Sequence, residues 1–352
     1  MSYLSVKREG YTLHFEEPTR YVDNQSRGRS GHMSHALARF SPSSFIDFNS
    51  NCSAKRWEGH SPYGWIEYRT SGDAGKTYSP VKKLPYSVES FEDGIYMISV
   101  EKAVVCDDGT LVAFCLRNEG TNLGCCTPWH TPTVIRSTDG GETWSEPVEY
   151  SPLAGRTYDA RLYRGDIYVM HHPYPEFLGT APEHRYRLYK STDNGKSFKE
   201  VSVIGLPYER RGYGAMIFDE EGKLHAYVYN EQAETEMDHA VSEDLGETWT
   251  LFPPCHLNEG IRNPQIGYLD GVYILHGRAA QERGFVFYTS TDATSWDAGT
   301  FLHATPGLCY YSNNLNLTDE RGNFLLVQYS ISYDGPRVNV NHVVLRVEGR
   351  AT

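Results

Sequence analysis

The 352-residue sequence predicts an all-β fold: a six-bladed β-propeller of four-stranded antiparallel sheets, with the ring closed by the N-terminal strand. Three observations predict it. A short motif recurs at intervals of about 50 residues, a second series of hairpins alternates with it, and the composition favours short strands joined by tight turns.

The motif reads Ser-x-Asp-x-Gly-x-Thr/Ser-aromatic. Its copies are SGDAGKTY from Ser71, STDGGETW from Ser137, STDNGKSF from Ser191 and SEDLGETW from Ser242, with a shortened STDATSW from Ser290 that lacks the glycine. Their aspartates, Asp73, Asp139, Asp193, Asp244 and Asp292, are 66, 54, 51 and 48 residues apart. Asp and Ser/Thr side chains bond nearby backbone groups and hold a turn, Gly takes angles other residues avoid, and the closing aromatic anchors the turn to its sheet. These aspartates are therefore read as structural rather than catalytic.

Between the copies, an apolar strand, a Gly-containing turn and another strand recur. They read KAVVCDDGTLVAFCLR, DARLYRGDIYVMHH, GAMIFDEEGKLHAYVY, NPQIGYLDGVYILHGR and NNLNLTDERGNFLLVQYS, with HALARFSPSSFIDFNSN as a less regular first member. Such hairpins are the strongest short-range strand signal. Each unit then runs hairpin, loop, third strand, motif turn and fourth strand, which is one blade. The last unit ends in HVVLRVEG without a motif, and LSVKREGYTLHF at the N-terminus is a spare strand. Pairing the two closes the ring and covers its edges. No linker-like stretch interrupts the series, so residues 1–352 are expected to form a single domain.

Composition agrees, with 26 Tyr, 14 Phe, 6 Trp and 32 Gly in a chain that is 39% hydrophobic. A net charge of −12 and a pI near 5.6 argue against a nucleic-acid or anionic-membrane partner, which would select a basic face. A small anionic ligand in a locally basic pocket remains compatible. The opening MSYLSVKREGYTLHF lacks the apolar run of a signal peptide and no later stretch could span a bilayer, so a cytoplasmic location is expected, with secretion open if a leader was removed. Seven scattered cysteines fit no disulfide framework, and the adjacent Cys125 and Cys126 fit neither a zinc pattern nor an easy disulfide. Most are expected to be buried thiols. No metal and no cofactor are expected.

Asp boxes on a six-bladed propeller of this size resemble the sialidase (neuraminidase) superfamily over nearly the whole chain. The resemblance implies a glycoside hydrolase acting on a terminal sialic-acid-like or other acidic sugar, so that the partner is a carbohydrate. It implies three arginines on the substrate carboxylate, a tyrosine nucleophile with a glutamate partner, and an acidic residue as acid/base. Guanidinium groups suit paired recognition of a carboxylate. A neutral phenol approaches an anionic substrate without like-charge repulsion.

CYYSNNLNLTDERG carries the best match. It places Tyr311 as nucleophile, followed by Ser312 and a turn with Asp319 and Gly322; Tyr310 would face the other side of the strand. Glu58, thirteen residues before Ser71, stands where the family keeps its acid/base, with Trp57 beside it. Glu101 and Arg117 flank a hairpin that resembles the segment holding the glutamate partner and one arginine. Arg278 and Arg262 in the fifth unit are the other carboxylate contacts, and Arg161 in the third is a further candidate. The family opens its first blade with Arg-Ile-Pro, and this chain departs from it: GHMSHALARFSP puts Met33 or Ser34 at the arginine position. Arg27, Arg29 or Arg39 could substitute in space, and His32 and His35 could supply donors.

That departure keeps two other readings open. A rhamnosidase-like hydrolase or polysaccharide lyase would rely on His35 and Tyr213, with His171, His172 and Asp159 as a second polar cluster. A noncatalytic carbohydrate-binding propeller needs none of these chemistries.

Overall fold

The computed structural model describes residues 3–31, 35–94, 96–119, 128–174, 181–307 and 310–349. Its strands assemble into six antiparallel sheets around one axis. Blade 1 runs outward through Leu37–Ser41, Ser44–Ser53, Gly64–Ser71 and Lys82–Lys83, with Arg29–Ser30 paired onto the second strand. Blade 2 is Tyr96–Val105, Leu111–Glu119, Thr133–Ser137 and Val148–Glu149. Blade 3 is Arg156–Tyr163, Asp166–His172, Arg187–Ser191 and Lys199–Val203. Blade 4 is Arg211–Phe218, Leu224–Asn230, Glu236–Ser242 and Thr250–His256, and blade 5 is Arg262–Leu269, Val272–Arg278, Phe285–Ser290 and Thr300–His303. The innermost strands pack neighbour against neighbour round the axis, the last against the first.

Blade 6 contains Ser312–Asp319, Gly322–Asp334 and Arg337–Glu348, and its fourth strand comes from the other end of the chain. Tyr11–Phe15 pairs with Arg337–Glu348 through Thr12 opposite Glu348 and Phe15 opposite Leu345. The expected N-terminal strand is a hairpin, because Gly10 turns the chain and Leu4–Arg8 adds a fifth strand outside. Leu13 and Phe15 are buried, and Phe15 meets the Phe287 ring edge-on at 5.1 Å. Closure therefore rests on packing as well as on strand hydrogen bonds.

Every Asp box sits in the turn after a third strand. In the first, the Ser71 hydroxyl donates to Asp73 Oδ1 at 2.9 Å and accepts the Gly75 amide at 2.9 Å, while Thr77 reaches Asp73 through its amide at 2.8 Å and its hydroxyl at 2.6 Å. The fifth box keeps the serine–aspartate bond at 2.9 Å, with Ala293 at φ 60° in the turn. The boxes hold turns and also bond to the neighbouring blade, as where the Tyr68 hydroxyl donates to the Gly141 carbonyl at 2.8 Å. One short helix, Pro85–Glu92, was not foreseen; it packs between blades 1 and 2, and its buried Ser87 hydroxyl accepts the Ile66 amide at 2.9 Å. Among the described residues no helix is long and apolar enough to cross a membrane.

Four inner strands carry an irregularity, in the middle of the strand in blade 2 and near the beginning in the others: register slips opposite Phe114/Cys115 in blade 2, between Thr157 and Asp159 in blade 3, between Arg211 and Gly214 in blade 4, and between Arg262 and Gln265 in blade 5. A β-bulge puts consecutive residues on one side of a strand and re-aims them. These bulges gather polar side chains at the axis.

Candidate functional site

Tyr311 lies directly before the inner strand of blade 6. The preceding Tyr310 holds φ 72°, an angle a bulky residue rarely adopts. Its amide donates to the Ser330 carbonyl, and its ring stacks on Phe285 at 5.4 Å. Tyr310 is thereby committed to the core, and Tyr311 turns to the axis. Its phenol oxygen lies 2.7 Å from that of Tyr213, which the blade 4 bulge aims inward.

Three guanidinium groups surround this pair. Arg278 stands 5.7 Å from the Tyr311 ring centre, Arg156 stands 5.8 Å from that of Tyr213, and Arg262 stands 5.5 Å from that of Tyr229. Burial first, then its neighbour Tyr311, pushes the Tyr213 phenol far above its ordinary range, and Arg156, Arg278 and Arg262 pull against that rise. Tyr213 is therefore a neutral phenol at physiological pH. Below the pair is a cavity of about 70 Å³ whose lining includes His35, Glu101, Arg156, Tyr158, Asn263 and Ser312.

The bulge in blade 2 skips Glu101, so that Glu101 and Lys102 both face the axis. Glu101 binds Arg156 at 2.6 Å and accepts the Thr157 amide at 2.8 Å. Burial pushes its carboxyl above the usual range, while Arg156 and the amide act in the opposite direction. Glu101 thus enters the site as expected, yet it supports Arg156; the phenol that meets Tyr311 belongs to Tyr213.

Lys102 begins the floor. Its ammonium donates to Gln265 and Asn313 and lies 3.5 Å from Asp159, which Arg161 also engages at 2.9 Å. The Met216 amide donates to Asp159 at 2.7 Å. Burial alone would raise the Asp159 carboxyl, but Arg161 and Lys102 hold it below its ordinary range. Asp159 and Arg161 therefore crosslink blades beneath the tyrosines. On the far side of this floor the channel widens to about 510 Å³, but there Arg161 is spent on Asp159 and the Ile266 carbonyl, and Arg39 donates to the Asn316 carbonyl. The smaller cavity is the one that holds the hydrogen-bonded Tyr213–Tyr311 pair, with Arg156 on its wall.

Other expectations resolve differently. Arg117 leaves the cluster: it lies on the second strand of blade 2, bound to Glu149 at 2.5 Å and to the Thr131 carbonyl at 2.7 Å, because the strand after the hairpin turn carries it away from the axis. Arg27 is clamped by both Glu67 oxygens at 2.7 and 2.8 Å, and Arg29 by Asn51 at 2.5 Å, so neither reaches the tyrosines. His32, Met33 and Ser34 lie outside the described residues, as do Cys125, Cys126 and Cys309. Cys52, Cys106, Cys115 and Cys255 are buried thiols. His171 and His172 are buried in blade 3, and burial drives both below the ordinary histidine range. His172 packs edge-on against Tyr158 at 5.3 Å and Tyr186 at 4.7 Å, behind the site.

Glu58 is exposed, on a turn where Trp57, Glu58 and Gly59 all have positive φ, 43°, 55° and 93°. A Cβ at Gly59 would meet Arg337 Cγ at 2.8 Å, so glycine lets the turn press against blade 6. His60 follows, held below its ordinary range by burial and then by Arg278 and Arg262. This turn faces the arginines through His60 rather than Glu58.

Arg156 was missed in the sequence, although a signal exists. The inner strands of blades 3, 4 and 5 each begin with arginine, in RTYDARLY, RGYGAMIF and RNPQIGYL. Of these, Arg211 pairs with Asp238 at 2.5 Å and Arg156 with Glu101 at 2.6 Å; it is by position that Arg156 and Arg262 belong to the site, beside the Tyr213 and Tyr229 rings.

An Asp-box (BNR) repeat model matches residues 135–146, the second copy. No curated protein matches the chain. Solved structures do. A protein of unknown function from Dyadobacter fermentans shares 16% identity at a TM-score of 0.74, covering 96% of this chain and 99% of that one. A Hadza microbial sialidase shares 14% at 0.68, over 94% and 68% of the two chains. An α-L-arabinanase from Penicillium chrysogenum shares 14% at 0.61, over 93% and 98%. The chain thus carries an Asp-box repeat on the six-bladed propeller fold that sialidases use.

Proposed function

We propose that this propeller is a glycoside hydrolase acting on a terminal acidic sugar, with Tyr311 as nucleophile and Arg156, Arg262 and Arg278 as the cations that receive the carboxylate. The observation that carries the reading is the phenol pair, 2.7 Å apart, with Arg278 beside Tyr311. A neutral phenol can approach an anionic sugar, and cations next to it stabilise the phenolate character that develops as it attacks. Tyr213 orients the phenol through their 2.7 Å hydrogen bond and passes its proton on to Glu101, the carboxylate that lines the same cavity and that the resemblance made the nucleophile's partner. Acid/base work falls to the turn bearing Glu58 and His60, of which His60 is the half-buried member. Arg156 takes the place of Arg117 among the expected carboxylate contacts.

A fluorogenic sialoside and fluorogenic glycosides of other sugar acids test the reading. Turnover of one of them that is lost in Tyr311→Phe supports it; full turnover in that variant removes the nucleophile assignment.

A second reading is favoured by the same phenol pair. A tyrosine bonded to a tyrosine, beside arginines that neutralise a carboxylate, also suits proton abstraction next to that carboxylate, as in a polysaccharide lyase. An ultraviolet-absorbing unsaturated product from an acidic polysaccharide would select it over hydrolysis.

A further inference from the structure

Arg278 is 2% exposed, and its Nε finds no hydrogen-bond acceptor among the described residues. Its counter-charge is Glu282, whose Oε1 lies 3.6 Å from Arg278 Nη1 and 3.8 Å from Arg262 Nη1. These separations exceed a direct hydrogen bond, so one carboxylate stands between two guanidinium groups without closing on either.

The chain holds Glu282 there deliberately. Gln281 and Glu282 both adopt left-handed angles, φ 54° and 59°, which two consecutive non-glycine residues do only under external constraint. The constraints are visible. The Gln281 amide donates to Glu234 at 2.7 Å, the Glu282 amide to the Ala279 carbonyl at 3.1 Å, and the Gly307 amide to the Glu282 carbonyl at 3.0 Å. Gly260 clears the path, since a Cβ there would lie 2.6 Å from that of Ala280. Glu234 itself is engaged by the Tyr229 hydroxyl at 2.8 Å and by the Gln281 amide, so it braces the turn.

We propose that Glu282 is the specificity-determining residue of the site. It sets the charge that the arginines offer, so that they accept a group with one negative charge in preference to one with two. The proposal rests on the reading of this site as a receptor for an acidic group. A carboxylate already beside Arg278 repels an incoming anion in proportion to the anion's charge. It therefore penalises a dianion twice as heavily as a monocarboxylate and steers the site to singly charged sugar acids over phosphorylated or sulfated ones.

The test measures affinities of acetate and malonate, by ligand-dependent melting at constant ionic strength near pH 7.5, for wild type, Glu282→Gln and Glu282→Ser. Removing the charge is expected to tighten acetate roughly tenfold and malonate roughly a hundredfold, so that the malonate-to-acetate ratio rises roughly tenfold. Adding Arg278→Met to Glu282→Gln should erase that rise. Either neutral variant is sufficient, provided its ligand-free melting temperature stays within a few degrees of wild type. An unchanged ratio, equal tightening of both anions, or a rise that survives Arg278→Met would overturn the proposal. A parallel arm uses N-acetylneuraminic acid and galacturonic acid. If neither binds and no glycoside is turned over while the ratio still shifts, the glycosidase reading falls and the role of Glu282 stands.

Discussion

At the scale of single residues, the chemistry depends on which of two adjacent tyrosines faces the axis. Tyr310 stacks on Phe285 in the core and Tyr311 meets Tyr213, a division produced by the φ of 72° at Tyr310. The motif and strand alternation already assign Tyr311 to the axis and Tyr310 to the other side; the backbone geometry shows how the two are turned apart. Tyr213→Phe should lower kcat about tenfold with little change in KM, because it removes a proton path and leaves the arginines untouched; steady-state kinetics check this. Arg278→Met should instead raise KM by roughly tenfold or more. Arg117→Ala should change neither, since that side chain is spent on Glu149 and Thr131. Arg117 looked plausible because a hairpin resembled a family segment. The strand that carries it is the second of its blade, one strand out from the axis, and linear spacing does not record that offset.

At the scale of elements, the hairpins and Asp boxes were legible because each is a local structure whose residues lie within a few positions of one another. The bulges were not legible, because a bulge is a relation between two strands. Blade 2 illustrates the consequence: alternation would put Glu101 and Lys102 on opposite faces, whereas the bulge turns both to the axis. The boxes carry a stability prediction. Gly246 has φ 94°, and a Cβ there would come within 2.0 Å of Leu188 Cδ2, so Gly246→Ala should cost about 2–4 kcal/mol by chemical denaturation. The closing hairpin carries another. Phe15→Ala removes a fully buried ring from the seam between the two ends of the chain and should cost about 3–5 kcal/mol.

The opposite seam, between blades 1 and 6, contains a titrating group. Asp47 is fully buried and accepts bonds from Tyr21 at 2.5 Å and Asn49 at 2.7 Å. Burial pushes its carboxyl up to about 7, against the pull of Tyr21 and Arg69. A raised carboxyl pKa means the folded state holds the proton more tightly than the unfolded chain. The stability it contributes is therefore complete below the ordinary value near 4 and is lost as pH rises through about 7. The melting temperature should fall between about pH 4 and 7 in wild type and level off above that, and Asp47→Asn should flatten the slope.

At the scale of the whole molecule, repetition made the fold readable, and departure from repetition made the site. Six similar units placed six inner strands around an axis, so residues as distant as Arg156, Tyr213, Arg262 and Tyr311 converge. The convergence of three arginines was anticipated, but Arg156 rather than Arg117 completes it. Arg156 begins a strand that also carries Asp159 and Arg161, and sequence drew attention to those two; they form the floor instead. An acidic chain with a net charge of −12 thus lines its channel with cations, Arg156, Arg262 and Arg278 beside the tyrosines and Arg39, Lys102 and Arg161 toward the wider end. That lining suits a small anionic ligand and disfavours a polyanionic surface.

The most direct test compares wild type with Tyr311→Phe on fluorogenic glycosides of N-acetylneuraminic, glucuronic and galacturonic acids, with melting temperature as the control for folding. The account predicts that wild type cleaves at least one of them, and that the variant loses about three orders of magnitude or more in kcat while melting within a few degrees of wild type. A well-folded Tyr311→Phe protein with undiminished turnover would contradict it.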